Sequence, residues 1–197
     1  MRSAAWLFVA ACSYAPEPGA PIDTPVDVAT FDPVRDCPVE YAITLAGQTG
    51  SRYRMITNGR KAWEHSDDCN DDRPGSTHLV AIDDPAELDQ VETAVTNTGN
   101  LNNNKAWVGG VQLRDQITAG VGWLLITGGP LLTSEWDKGE PNDGGSVEDN
   151  GENFVGVERG RAGLVDFPSN GDQGGMCECD GKPVDQTAFV TVDTNRE

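Results

Sequence analysis

Residues 122–143 read GWLLITGGPLLTSEWDKGEPND. The start of this stretch, Gly122–Thr127 (GWLLIT), is rich in aromatic and aliphatic residues and reads as a strand. Regular patterning then stops. From Gly128 to Asn153 the chain is glycine-rich and carries Glu135, Asp137, Glu140, Asp143, Glu148, Asp149 and Glu152. A loop of ~25 residues inside a compact domain is uncommon and usually functional. The bland reading of such acidity is a solvated surface; the sharper one is that some of these carboxylates converge on a cation. Glu140 and Asn142 flank Pro141. An X–Pro bond adopts the cis form at modest cost, and a cis Pro141 would aim the carboxylate and the amide to one side.

The flanks read as an α+β domain in which two helices come first and a broken sheet follows. Tyr41–Ala46 (YAITLA) and Ser51–Ile56 (SRYRMI) read as strands around a turn at Gly47–Gly50. Thr57 or Asn58 is placed to cap a helix running to about Asp68, with Ala62, Ser66 and Cys69 on one face and Trp63 as a core anchor. His78–Asp83 (HLVAID) is a short strand. Asp84-Pro85-Ala86-Glu87 then combines an N-cap, a proline at the first helical position and a capping-box acid. Leu88, Val91 and Val95 form the apolar stripe of that helix, which ends near Thr96. Further strands are expected at Ala106–Val111 (AWVGGV), Phe154–Glu158 (FVGVE), Gly163–Phe167 and Met176–Cys179, with a β-like run at Ala188–Val192. Gly109-Gly110 permits close backbone approach.

Composition narrows the function classes. The chain has 197 residues with a formal net charge of −18, the wrong sign for tracking phosphates, so nucleic acid and anionic lipid surfaces are disfavoured as partners. No apolar run approaches the ~20 residues of a membrane span. Residues 1–12 (MRSAAWLFVAAC) combine Arg2 with a short apolar run, and Val9-Ala10-Ala11-Cys12 resembles a bacterial lipobox. Cys12 is therefore a lipidation candidate, and a lipid there is the one expected membrane contact. Residues 13–36 carry prolines at 16, 18, 21, 25 and 33 and read as a semi-extended tether reaching ~75 Å at ~3.1 Å per residue. With Cys12 set aside, Cys37, Cys69, Cys177 and Cys179 remain. Their spacing suits disulfides rather than a zinc knuckle, three pairings are open, and export from the cytoplasm follows. The organisation read here is 1–12 signal, 13–36 tether, 37–180 folded domain and 181–197 C-terminal extension.

Residues 37–180 resemble the C-type lectin-like domain. The matches run in order: Tyr53, Trp63 and Cys69; HLVAIDDPAELDQV; Trp107-Val108-Gly109-Gly110; the loop ending in Glu140-Pro141-Asn142; Glu152-Asn153-Phe154-Val155; Leu164-Val165-Asp166-Phe167-Pro168-Ser169; and Met176-Cys177-Glu178. The resemblance implies a C-type lectin-like fold, two helices against small antiparallel sheets with a long irregular calcium and ligand loop. It implies a non-catalytic module in which Glu140, Asn142, Glu152 and Asp166 hold Ca²⁺ and a mannose-like sugar together. Counting forward from Glu140 without a gap selects Glu148; anchoring on Asn153-Phe154-Val155 selects Glu152, the preferred ligand. It further implies a Cys69–Cys177 bridge, leaving Cys37 and Cys179 to join the first and last strands.

The departures from the pattern are specific. Val165 stands where an Asn ligand is usual and offers no side-chain oxygen. Phe154 and Ser169 occupy the two positions of the inner disulfide. Of the auxiliary calcium site, only Asp143 and Asp115 or Asp149 stand near the expected places. A calcium-independent structural or surface-protein-binding domain is therefore the second reading. An enzyme is not expected: the chain has no Gly-x-Ser-x-Gly, His-Glu-x-x-His or phosphate loop, although a glycosidase would need only a correctly spaced carboxylate pair.

Overall fold

The computed structural model describes residues 30–113, 118–144, 151–168 and 170–185. The chain divides into Met1–Thr30 and Phe31–Glu197, and the second unit is the domain. Cys12, Asp115, Glu148, Asp149, Ser169 and the run Ala188–Val192 lie outside the described residues.

The domain begins ahead of the boundary at residue 37 expected from the sequence. Pro33–Asp36 form one helical turn, α1, capped by Asp32, which accepts from Val34 N at 3.0 Å. Proline at the first helical position starts this turn, whereas the sequence reading had it extend the tether. Phe31 packs beside Gly181. Tyr41–Ala46 is not a strand; it contributes one bridge, Ile43 to Tyr53. Tyr41 instead donates its hydroxyl to Asp72 at 2.8 Å, which draws this segment toward the second helix.

Strand β1 spans Arg52–Arg60 and α2 spans Ala62–Asp72. The helix starts later than Thr57 or Asn58, because both lie inside β1, in the irregular stretch between Ile56 and Arg60 where the register with β7 shifts. Lys61 is the cap residue, and Glu64 accepts from its backbone N–H at 2.9 Å. Ala62, Ser66 and Cys69 are buried as expected, joined by His65, while Trp63 is half-buried. Strand β2 is Thr77–Leu79, and α3 runs Pro85–Asn97. Asp84 caps α3 by accepting from Ala86 N at 2.7 Å. Glu87 does not complete the box at Asp84; it turns inward and accepts from Tyr53. Leu88, Val91 and Val95 are the buried stripe.

The remaining strands are β3 (Lys105–Gln112), β4 (Trp123–Leu125), β5 (Phe154–Glu158), β6 (Val165–Phe167) and β7 (Gln173–Cys179). They form one sheet in the order β1-β7-β3-β5-β6, with β2 on β7 and β4 on β3. The β3–β7 pair is parallel and the others antiparallel, so the sheet is mixed rather than a set of small antiparallel sheets. Alternation along β3 separates two cores. Ala106 and Val108 join Leu88, Val91 and Val95 of α3. Trp107 joins Ala62 and Cys69 of α2, with Phe154, Val165 and Phe167. At Gly109 a Cβ would lie 2.6 Å from Leu79 O, so glycine alone lets β3 approach β2 this closely. Disulfides Cys69–Cys177 and Cys37–Cys179 join α2 and the N-terminal segment to β7. None of the helices of the described residues is long and apolar enough to cross a membrane.

Candidate functional site

The long loop leaves β4 and returns at β5, so the sheet fixes both of its ends. Between them the described residues form only one short helical turn, Thr133–Glu135. Trp123 and Trp136 anchor the loop by an edge-on contact, with centroids 4.9 Å apart. The Trp123 indole donates to Ala119 O at 2.6 Å, so these rings serve packing. Leu164 and the loop exchange backbone bonds: Asp137 N to Leu164 O at 2.9 Å and Leu164 N to Glu135 O at 2.8 Å. Gly163, at φ +120°, makes that approach feasible, since a Cβ there would lie 2.5 Å from Asp137 N.

The Glu140–Pro141 peptide is cis, as the sequence allowed. Glu140 and Asn142 meet: the Asn142 amide donates to Glu140 Oε2. Asp166 comes from β6, is 2% exposed, and accepts from Asn142 N at 3.2 Å and from Asp143 N at 2.9 Å. Glu152 Oε2 accepts from Gly144 N at 2.5 Å, and Glu152 N donates to Asp143 Oδ1 at 3.4 Å. Asn142 Oδ1 and Glu152 Oε2 both crowd the point where Gly144 would carry a Cβ, at 2.4 and 3.3 Å. Glu140, Asn142, Glu152 and Asp166 are thus brought to one end of the sheet.

The electrostatics are those of crowded acids, of which Glu140 meets a counter-charge in Arg161. Burial raises the Glu140 carboxyl above its ordinary value, and the neighbouring Asp166 carboxyl raises it further, against the pull of Arg161. Glu152 is raised by burial and by the charges of Asp166, Glu140 and Asp143. All the donors are oxygens, three of them carboxylates, which suits a hard divalent cation. Backbone N–H groups and the Asn142 amide already donate to oxygens of these acids, whose carboxylates stand further apart than a closed shell would place them.

Val165 adds no donor to this group. It is 2% exposed and lies in the core with Trp107, Phe154 and Phe167. The Phe154 ring stands edge-on to Trp107, with centroids 6.1 Å apart. Aromatic packing therefore occupies the place of one half of the absent inner disulfide.

The sequence reading missed two features. The first is Arg161, in the turn after β5, whose Nη2 lies 2.7 Å from Glu140 Oε1 and whose Nε lies 2.6 Å from Asp137 Oδ2. The second is a buried trio, His78, Glu178 and Asp180, whose ligand atoms lie within 4.8 Å of one another, closer than the loop acids draw together. Both His78 nitrogens face oxygens: Nδ1 lies 2.8 Å from Leu79 O and Nε2 lies 3.0 Å from Asp180 Oδ1. Burial opposes the imidazolium, but Asp180 and Glu178 outweigh it and raise the His78 pKa. Lys182 Nζ lies 2.9 Å from Asp180 Oδ2. His78 and Lys182 already engage Asp180, and the Ser51 hydroxyl and Ala81 N–H donate to Glu178, so the trio reads as a polar network tying β2 to the end of β7. Its signal in the sequence was weak, because its members are far apart along the chain and lack metal-ligand spacing.

No family model and no curated protein matches the chain. Solved structures do. The mouse scavenger receptor C-type lectin carbohydrate-recognition domain superimposes with a TM-score of 0.57 at 22% identity, covering 73% of this chain and 98% of that one. The C-type lectin CEL-I from Cucumaria echinata gives 0.57 at 14% identity, over 73% and 96%. SPL-1, solved as a GlcNAc complex, gives 0.54 at 16% identity, over 74% and 96%. At these identities the likeness establishes the fold, which is C-type lectin-like.

Proposed function

We propose that this domain is a calcium-dependent carbohydrate-binding module, without catalysis, displayed outside the cytoplasm. The observation that carries the reading is the meeting of Glu140, Asn142, Glu152 and Asp166 at one end of the sheet, with two of the three carboxyls raised by burial and by one another. These four residues would hold Ca²⁺, and the bound ion would supply Lewis-acid coordination for two vicinal hydroxyls of a pyranose. Glu140 and Asn142 would accept from and donate to the same hydroxyls, the arrangement suited to mannose-like sugars. Glu148 remains the alternative acid. That structural neighbours are carbohydrate-recognition domains supports the same reading.

The two disulfides suit an oxidising compartment, and lipidation of Cys12 would tether the domain to a membrane. Single-site affinity is weak in an open site of this kind, so useful binding would come from many copies on one surface. A calcium-independent, protein-binding role is the second reading, favoured by the buried Val165, which supplies no donor.

The deciding experiment is thermal unfolding of the full chain in millimolar calcium against a chelator. A ligand of the folded state stabilises by RT ln(1 + [L]/Kd), about 2.7 kcal/mol at a hundredfold excess. The calcium reading expects a clear rise, lost in Asn142→Ala, followed by mannose-sensitive capture on a glycan surface. No rise in the parent protein selects the second reading.

A further inference from the structure

We infer that Arg161 is a positioning residue for the cation site: it holds Glu140 in the orientation that binding requires. The inference rests on the calcium reading above. Arg161 spans three acids, with Nε 2.6 Å from Asp137, Nη2 2.7 Å from Glu140 and Nη1 3.7 Å from Glu158. The Glu140 side chain is 3% exposed and that of Arg161 33%, so the contact is sheltered on the acid's side. The guanidinium occupies Glu140 Oε1, while Oε2 faces the Asn142 amide. Asn142 in turn is fixed through its backbone by Asp166. One chain of contacts therefore runs from the β5–β6 turn, through Arg161, to the oxygen on the side of the other donors.

Two effects of opposite sign compete. A fixed positive charge beside a cation site repels the cation. A fixed partner also removes the rotamer freedom of a glutamate, a long side chain that otherwise loses that freedom on binding. The charge balance decides between them. Arg161 is shared among Asp137, Glu140 and Glu158, and Lys105 also lies 3.7 Å from Glu158, so two positive charges sit among three negative ones and the group as a whole still attracts a cation. Orientation dominates. Partners that orient a ligating carboxylate typically carry a 10–100-fold effect on metal affinity. A lysine would keep the charge but lose the planar fork that reaches several acids at once.

The test is calcium titration calorimetry on the full chain, beside thermal unfolding of the chelated protein. Arg161→Gln is expected to weaken calcium binding about tenfold, and Arg161→Lys to weaken it less. In a Glu140→Gln background, Arg161→Gln should add no further loss, a non-additivity that a merely structural role would not produce. If Arg161→Gln fails to unfold cooperatively, Arg161→Lys and Asp137→Asn take its place, and each should still raise the Kd. Parent protein that binds calcium, with unchanged or tighter binding in these variants, overturns the role of Arg161 alone. Parent protein that binds no calcium overturns both this role and the calcium reading.

Discussion

Tyr53 donates its hydroxyl to Glu87 Oε1 across 2.7 Å, joining β1 to α3 inside the core. Glu87 is 2% exposed. Burial, then the nearby Glu178 carboxylate, push its carboxyl up to about 7. An acid raised on folding binds its proton more tightly in the native state, so its contribution is present below about 4.5 and is lost as pH rises through about 7. We therefore expect denaturant stability to climb as pH falls from 7.5 to 5, by on the order of 2–3 kcal/mol from this group. Glu87→Gln, which copies the neutral acid, should remove that part of the slope. A parent and variant with parallel profiles across this range would show that Glu87 does not titrate there.

That network also marks the limit of what was legible in the chain. Asp84, Pro85 and the Leu88–Val91–Val95 stripe predict α3 because capping and periodicity are local. The disulfide pairing, and the meeting of Glu140, Asn142, Glu152 and Asp166, were implied by the resemblance that an ordered set of motifs carries. Glu87 was read as a capping acid, since nothing local reveals that Tyr53, from another element, takes it instead. Arg161 was passed over for the same reason: its partners Asp137 and Glu140 lie across the loop. Thr57 and Asn58 misled because they belong to β1, in the register shift between Ile56 and Arg60, and α2 begins only at Ala62. Local signals placed the elements, and long-range pairing decided the roles of the charged residues.

Phe154 should be worth more than its position in a strand suggests. It stands edge-on to Trp107 and tilted against Trp63, with centroids 6.1 and 6.4 Å away. This packing holds the start of β5, where the loop re-enters the sheet. Phe154→Ala is expected to cost about 3–5 kcal/mol in chemical denaturation and to weaken calcium binding through the loop end. A cost below about 1 kcal/mol would mean that the ring carries little of the packing.

Asp166 and Asn142 should separate in the absence of calcium. Asp166 is buried and accepts two backbone N–H groups, from Asn142 and Asp143, so it latches the loop without any ion. Hydrogen bonds to a charged group are worth about 1.5–3 kcal/mol. Asp166→Asn should therefore destabilise the chelated protein by about that much. Asn142→Ala, at an exposed side chain, should leave the chelated protein nearly unchanged. Equal costs for the two in chelator would place the latch elsewhere.

Val165 gives the sharpest contrast between alignment and geometry. By position, Val165→Asn restores a side-chain oxygen where the resemblance expects a ligand. By packing, it puts an amide among Trp107, Phe154 and Phe167, on the face of β6 opposite Asp166. Alternation along a strand keeps neighbouring side chains on opposite faces, so the new amide cannot join Asp166 unless β6 twists. A buried amide without partners costs about 1–3 kcal/mol on the scale of protein substitutions. The expected outcome is lower stability by that order in denaturant, with calcium binding no tighter than in the parent. A variant that binds calcium more tightly, at whatever cost in stability, would show that β6 can turn residue 165 toward the loop and that Val165 is what limits the site.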